Sequence, residues 1–359
     1  MMVVLFHLNA GAHVYALTRN GYAAVDFFFV LSGFVLMSGF SGKLESRAAF
    51  SRFAARRFTR LYPLHLATLA VLIGLVCLDA LQGDEAAFSG DYNLNGLVQC
   101  LTLVQGFTTQ ALSWNYPSWS ISLEFWASLL FGATLWLARS RAWAVFAVYV
   151  LALGAITLTA NDPGGPAANA GAALGKAAHS FLALFTGALL FKLYGVLARS
   201  GRKPPGWLEW PATAVVTAAF LFTGRLPPLG TVVLFAAVIL VFAFEAGPVS
   251  AWLRGPAPQA AGRWSYSIYL THPLWTMLTF KAVYAIGLWL GQPAVLNDAS
   301  GDHLILGGPF TMDLAALACL ALVLATSAAT SRFIEEPGRK LVAKAPRGAP
   351  TSPSYRHRP

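Results

Sequence analysis

The sequence predicts an all-α fold, a polytopic membrane helix bundle of about ten transmembrane helices with both termini cytoplasmic. Three observations carry that expectation: the composition, the spacing of the apolar segments and the placement of the basic residues. Of the 359 residues, 57% are hydrophobic and 11% charged, and the mean hydropathy is +0.59. Average soluble domains carry roughly 25% charged residues. A chain this apolar cannot hide its surface in one aqueous core, whereas a bilayer accepts each stretch of about 20 apolar residues separately.

Ten apolar segments follow in order: 1–17, 22–40, 61–80, 118–138, 142–160, 180–198, 212–223, 230–247, 265–289 and 312–331. With a cytoplasmic amino terminus, the pieces facing the cytoplasm are 41–60, 139–141, 199–211, 248–263 and 332–359, and they hold 20 of the 25 Lys and Arg. The opposite loops carry Asp84, Glu85, Asp91, Asp162, Asp298 and Asp302. This asymmetry orients the bundle by the positive-inside rule. The net charge of +10 is therefore mainly topological, and no nucleic-acid partner is expected.

Residues 95–111 contain Gln99, Gln105 and Gln110, which predicts a re-entrant or interfacial helix; a further crossing would invert every later loop. No secretory signal pattern is evident at Met1, and the first segment is short for a span. Residues 1–331 read as one membrane domain, and 332–359 as a cytoplasmic basic tail expected to be disordered towards its Pro, Ser and Arg-rich end. Cys77, Cys100 and Cys319 lie in apolar sequence without metal-ligand spacing, and read as small core residues. No metal is expected.

Polar side chains inside spans are costly, so chemistry is sought there. His7, between Phe6 and Leu8, could act as a general base or be a buried packing histidine. Asp26 precedes an intensely apolar helix and needs a partner. Orienting His7 would satisfy both groups; an interfacial helix cap is the alternative. Glu124, about two turns beyond Pro117, calls for a cation or a substrate hydroxyl. Arg57 and Arg60, three residues apart on one helical face, suit phosphates, although positive-inside anchors would read the same way. His65, one turn further, reads more simply as packing. Tyr266, Tyr269 and His272 lie on the first turns of a later span, where Pro273 lacks an N–H and frees a backbone carbonyl. His13, His179, His303 and His357 are placed near span ends, in loops or in the tail, without a role.

Five runs complete a pattern: Val25-Asp26-Phe27-Phe28-Phe29-Val30-Leu31-Ser32-Gly33-Phe34, Arg57-Phe58-Thr59-Arg60-Leu61-Tyr62-Pro63, Ser118-Trp119-Ser120-Ile121-Ser122-Leu123-Glu124, Ser265-Tyr266-Ser267-Ile268-Tyr269-Leu270-Thr271-His272-Pro273 and Phe333-Ile334-Glu335-Glu336-Pro337. Their order and spread over nearly the whole chain resemble the acyltransferase 3 family of membrane acyltransferases. The resemblance implies a ten-span fold and transfer of an acyl group, commonly acetyl, from cytoplasmic acyl-coenzyme A to a hydroxyl of a carbohydrate or lipid-linked glycan. It implies that His7 is catalytic and that Arg57 and Arg60 hold the donor's phosphates. Asp26 and Glu124 fall on the family's acidic positions and are taken as catalytic. Trp119, Ser120, Tyr266 and His272 are candidate acceptor-binding residues. The family pattern also places an arginine about three turns before the first-span histidine, a position ahead of Met1; either translation begins upstream or this member lacks that residue. The expected setting is a bacterial inner membrane.

The mechanism expected is deprotonation of the acceptor hydroxyl by His7 as it attacks the thioester, with an acyl-histidine relay as the variant. The rival classes are a non-acylating secondary transporter or flippase, which would show paired repeats and broken helices, and a catalytically degenerate membrane partner protein. Neither repeat nor broken-helix pattern is found in the sequence.

Overall fold

The computed structural model describes residues 1–8, 18, 20–108, 113–159, 168–222, 227–298 and 301–343. Asp162, His13, His357 and the tail from Lys344 lie outside the described residues. Helices form wherever long apolar stretches must satisfy their own backbone polar groups. They are α1 (Met2–Leu8), α2 (Ala24–Phe40), α3 (Arg47–Leu81), α4 (Leu94–Thr102), α5 (Ser118–Ala138), α6 (Ala142–Thr159) and α7 (Ala168–Arg199). The second half adds α8 (Glu209–Phe222), α9 (Pro228–Phe242), α10 (Pro248–Leu253), α11 (Pro256–Arg263), α12 (Ser265–Leu290), α13 (Pro309–Thr330) and α14 (Glu336–Ala343).

Among the described residues, six helical stretches are long and apolar enough to cross a membrane: Gly21–Phe40, Arg47–Leu81, Ser118–Leu158, Ala173–Arg199, Ser265–Leu290 and Pro309–Leu341. The third contains both α5 and α6, joined by the turn Arg139–Arg141. At 14 and 15 residues, α8 and α9 measure about 21 and 23 Å, short of a hydrocarbon layer of about 30 Å. Helix α1 has 7 described helical residues, and most of the remaining predicted first span lies outside the described residues. The nine-residue α4 is likewise too short to cross, as the glutamines predicted. One departure from an all-helical fold is an antiparallel hairpin, β1 (Val295–Asp298) with β2 (Gly301–Leu304), pairing Val295 with Leu304. Its Leu304 joins a core of Val4, Leu8, Ile268, Met312 and Val323, so it lies against α1, α12 and α13.

A second core is built from α2, α5, α6, α7 and α9, with Phe131, Phe146 and Phe185 stacked at centroid separations of 5.3 and 5.4 Å. Here α2 and α7 approach backbone to backbone. A Cβ on Gly33 would stand 1.7 Å from the Leu184 carbonyl oxygen, and one on Gly187 would stand 1.9 Å from that of Val30. Small residues permit such contacts between membrane helices, and no rotamer can relieve a clash with main chain. Gly33→Leu is expected to destabilise the fold by about 3 kcal/mol or more. Gly39→Ala, where nothing lies within 4 Å, is expected to gain up to about 1 kcal/mol of helix propensity. Thermal unfolding of the two variants in one detergent checks the contrast.

Two shorter-range devices fix the loop side. Glu209 accepts hydrogen bonds from the Gly247 and Ser250 amides, both 2.8 Å, and from Ser250 Oγ at 2.6 Å, which binds the start of α8 to the start of α10. Pro63 lies within α3, and Gly338 of α14 packs on that turn, where its missing Cβ would be 2.8 Å from the Thr59 carbonyl oxygen. Cys77, Cys100 and Cys319 are free thiols, the latter two buried.

Candidate active site

The site is built around two histidines brought together from opposite ends of the chain. Pro273 has no N–H to give the carbonyl four residues earlier, that of Tyr269. The released oxygen accepts a hydrogen bond from His272 Nδ1 at 2.8 Å. Since a carbonyl only accepts, the proton of neutral His272 sits on Nδ1, and Nε2 is an acceptor. His7 Nδ1 lies 3.2 Å from that Nε2 and 2.9 Å from the Val3 carbonyl oxygen. Both neighbours accept, so the His7 proton sits on Nδ1 and the free lone pair on Nε2. The imidazoles stack at 5.2 Å, and His272 is fully buried.

Tyr116 completes this cluster, with its ring 4.8 Å from that of His7 and 5.8 Å from that of His272. Its buried hydroxyl has no hydrogen-bond partner of normal distance and angle. The preceding Asn115 fixes the loop by donating to Thr68 Oγ1 and the Leu270 carbonyl at 3.0 and 3.2 Å. Ser120 and Tyr269 share a 2.7 Å hydroxyl contact, and Tyr269 donates to the Pro117 carbonyl at 3.0 Å. Tyr116 escaped sequence reasoning because it stands in a polar loop before α5, where nothing in the spacing marks it.

Glu124 finds the cation it called for. Arg57 donates to Glu124 Oε1 at 2.6 Å and to Ser128 Oγ at 3.2 Å, and Ser32 donates to the same carboxylate oxygen at 3.2 Å. Arg57 was expected to face a phosphate with Arg60, but it is only 6% exposed and held by these partners. The reason is that α3 begins at Arg47, so Arg57 lies well inside a helix and its side of that helix packs on α5. Arg60 remains exposed. It lines a cavity of about 100 Å³ with Ser32, Ser120, Glu124, Tyr266 and Tyr269. A second cavity, about 330 Å³, is lined by Met1, Val3, Gly262, Ile268 and His272. The two have Phe28, Ser265 and Tyr269 in common, so Arg60 lines one and His272 the other of two adjacent cavities.

Asp26 corrects the expectation that it orients His7. Its carboxylate lies 3.0 Å from His179 Nε2 and accepts a 3.0 Å hydrogen bond from Thr231 Oγ1. The side of α2 bearing Asp26 meets α7 and α9, while His7 meets α12. His179 was read as lying near a span end; α7 begins at Ala168, eleven residues before it. Trp119 lies under Lys176 Nζ, 5.0 Å from its ring centroid. The Tyr266 hydroxyl donates to the Leu61 carbonyl, a packing contact between α12 and α3. His65 is buried with Nε2 2.9 Å from the Cys100 carbonyl oxygen, the packing role expected of it. In the last motif, Glu335 accepts from Ser267 Oγ at 2.9 Å and from Arg339.

An apolar helical bundle that holds a hydrogen-bonded pair of histidines next to a cavity is the frame of a membrane enzyme. The chain belongs to the acyltransferase 3 family, whose model, described as an acyltransferase domain, matches residues 1–330; it is an integral membrane O-acyltransferase. It is 28% identical to Acyltransferase MdmB of Streptomyces mycarofaciens over 354 residues, covering 94% of this chain and 85% of that one. A 61-residue stretch is 44% identical to Protein 2 in picA locus of Rhizobium radiobacter, covering 16% of this chain and 32% of that one. No solved structure matches.

Proposed function

We propose that the protein moves an acyl group, acetyl in the first instance, from cytoplasmic acyl-coenzyme A to a hydroxyl of a carbohydrate or lipid-linked glycan in a bacterial inner membrane. The observation that carries this reading is the hydrogen-bonded order Tyr269 carbonyl, His272, His7, which leaves His7 Nε2 as the basic nitrogen. The basic loops support ten crossings with both termini cytoplasmic, α1, α8 and α9 completing spans that their helical residues alone do not fill. On that topology Arg60 stands at the cytoplasmic mouth, where its guanidinium suits the donor's phosphates. The adjacent cavities support a path for the thioester from Arg60 towards His272, the hydrogen-bonded neighbour of His7.

In the reaction, the acceptor O–H gives its proton to His7 Nε2 while its oxygen attacks the thioester carbonyl. The resulting imidazolium is held by two acceptors, the Val3 carbonyl and His272 Nε2. The C–S bond then breaks, the thiolate takes the proton back, and the products are an ester and free coenzyme A. Tyr116, whose ring lies against both imidazoles, is assigned as the donor to the developing oxyanion. Arg57 and Glu124 set the wall of the donor route, and Asp26 with His179 and Thr231 joins α2 to α7 and α9.

The test is acyl transfer from radiolabelled acetyl-coenzyme A by the purified protein in lipid, across a panel of hydroxyl-bearing glycans. Label is expected in a hydroxylamine-sensitive ester on one class of acceptor. Tyr116→Phe is expected to lower kcat about 10²-fold with little change in the KM for donor. Absence of donor-dependent labelling from every acceptor would overturn the reading, and an unchanged kcat would remove Tyr116 from it.

A further inference from the structure

Away from the histidines, the ends of α2, α5 and α7 line a cavity of about 690 Å³. Its cationic lining consists of Arg139, Lys192 and Arg199, opposed by one carboxylate, Glu45. Among the described residues none of the three cations has a carboxylate within salt-bridge distance. The other ion pairs of this side are made elsewhere, Arg57 with Glu124 and Arg254 with Glu245. Lys192 Nζ instead sits 4.3 Å above the ring centroid of Trp143, which is itself 49% exposed.

The backbone that presents these groups is unusual. Arg139 ends α5 with φ +48°, in the left-handed region. This allows α5 to stop and α6 to restart within three residues, and it places Arg139, Ser140 and Trp143 in the same cavity wall. The lower wall is apolar, formed by Met37, Leu44, Leu135 and Phe191. The cavity therefore grades from hydrocarbon-like to cationic, with a half-exposed Trp at the boundary. Tryptophan favours the interface between headgroup and acyl chain.

We infer that this cavity is a binding site for a phosphate group at the cytoplasmic membrane surface, separate from the acyl-transfer site, and that its occupant is the headgroup of an anionic phospholipid. Three unpaired cations around one volume give a phosphate charge-assisted hydrogen bonds that single anchoring residues do not. The apolar floor accepts the first methylenes of the acyl chains, which a free phosphate would leave uncovered. Glu45 favours headgroups that place their charge on the far wall. The side assignment rests on the distribution of basic loops, and the site itself is independent of which acceptor is acylated.

The full chain, purified and placed in nanodiscs of phosphatidylcholine with increasing phosphatidylglycerol, is the test. Wild type is expected to rise in Tm with phosphatidylglycerol and to retain that lipid in native mass spectrometry. Lys192→Gln and Arg199→Gln, at exposed positions, are each expected to need about fivefold more phosphatidylglycerol for the same shift. Lys192→Arg is expected to behave as wild type. A parallel series in phosphatidylcholine alone, titrated with sodium phosphate, separates the sources. A charge-dependent shift with phosphate but none with phosphatidylglycerol would keep the phosphate site and overturn the lipid occupant. Equal responses of wild type and both Gln variants to each probe would overturn the site altogether.

Discussion

His7→Ala should reduce acyl transfer by 10²-fold at least, and by about 10⁴-fold if general-base catalysis is fully lost, while the protein stays folded in the membrane. The imidazole is part-buried and makes no ion pair among the described residues, so its removal strands no charge. His272 should behave differently. It holds His7 through a 3.2 Å contact and is itself anchored to the carbonyl that Pro273 leaves free. His272→Gln keeps an acceptor near His7 Nδ1 and should retain part of the rate, whereas His272→Ala should lose more, in kcat rather than in the KM for donor. Single-turnover kinetics with acetyl-coenzyme A would separate the two. Near-normal turnover in His7→Ala would eliminate the base assigned here.

The second large effect divides the two arginines. Arg57→Ala leaves Glu124 without its cation in a mostly buried setting, and removing one partner of such a pair costs about 3–5 kcal/mol. The variant should therefore unfold at lower temperature and accumulate poorly. Arg57→Ala with Glu124→Ala should be less destabilised than the sum of the single changes, because they share the interaction. Arg60→Ala removes an exposed side chain at the cavity mouth. It should keep its Tm and instead raise the KM for acyl-coenzyme A. Thermal unfolding with and without donor, measured on wild type and the four variants, Glu124→Ala among them, would reveal any reversal of these roles.

Helix positions were legible because hydropathy reports how deep a segment lies. The predicted spans 118–138 and 142–160 correspond almost residue for residue to α5 and α6. What hydropathy does not report is which way a side chain faces. Helices apolar all round carry no amphipathic stripe to mark the inward side. Asp26 is therefore legible as part of the first turn of an apolar helix, but its histidine partner is not. His179 was overlooked because the Ala and Gly-rich segment before it is weakly apolar, although alanine is the strongest helix former and extends α7 there. Arg57 was drawn outward for a related reason. Basic residues beside a span read as anchors, and only the partner on α5 reveals that this one turns inward. His7 and His272 were both found individually, but their pairing joins residues 265 positions apart, which no local pattern encodes.

Where Gly33 and Gly187 meet their opposing carbonyls, α2 and α7 touch main chain to main chain. Side chains can swing aside to admit a bulky visitor; a backbone seam has nothing to swing. The α2–α7 pair is then a fixed post. Any breathing that lets a large acceptor reach His7 must be supplied by the opposite block, in which α1, α12, α13 and the hairpin share a core of their own.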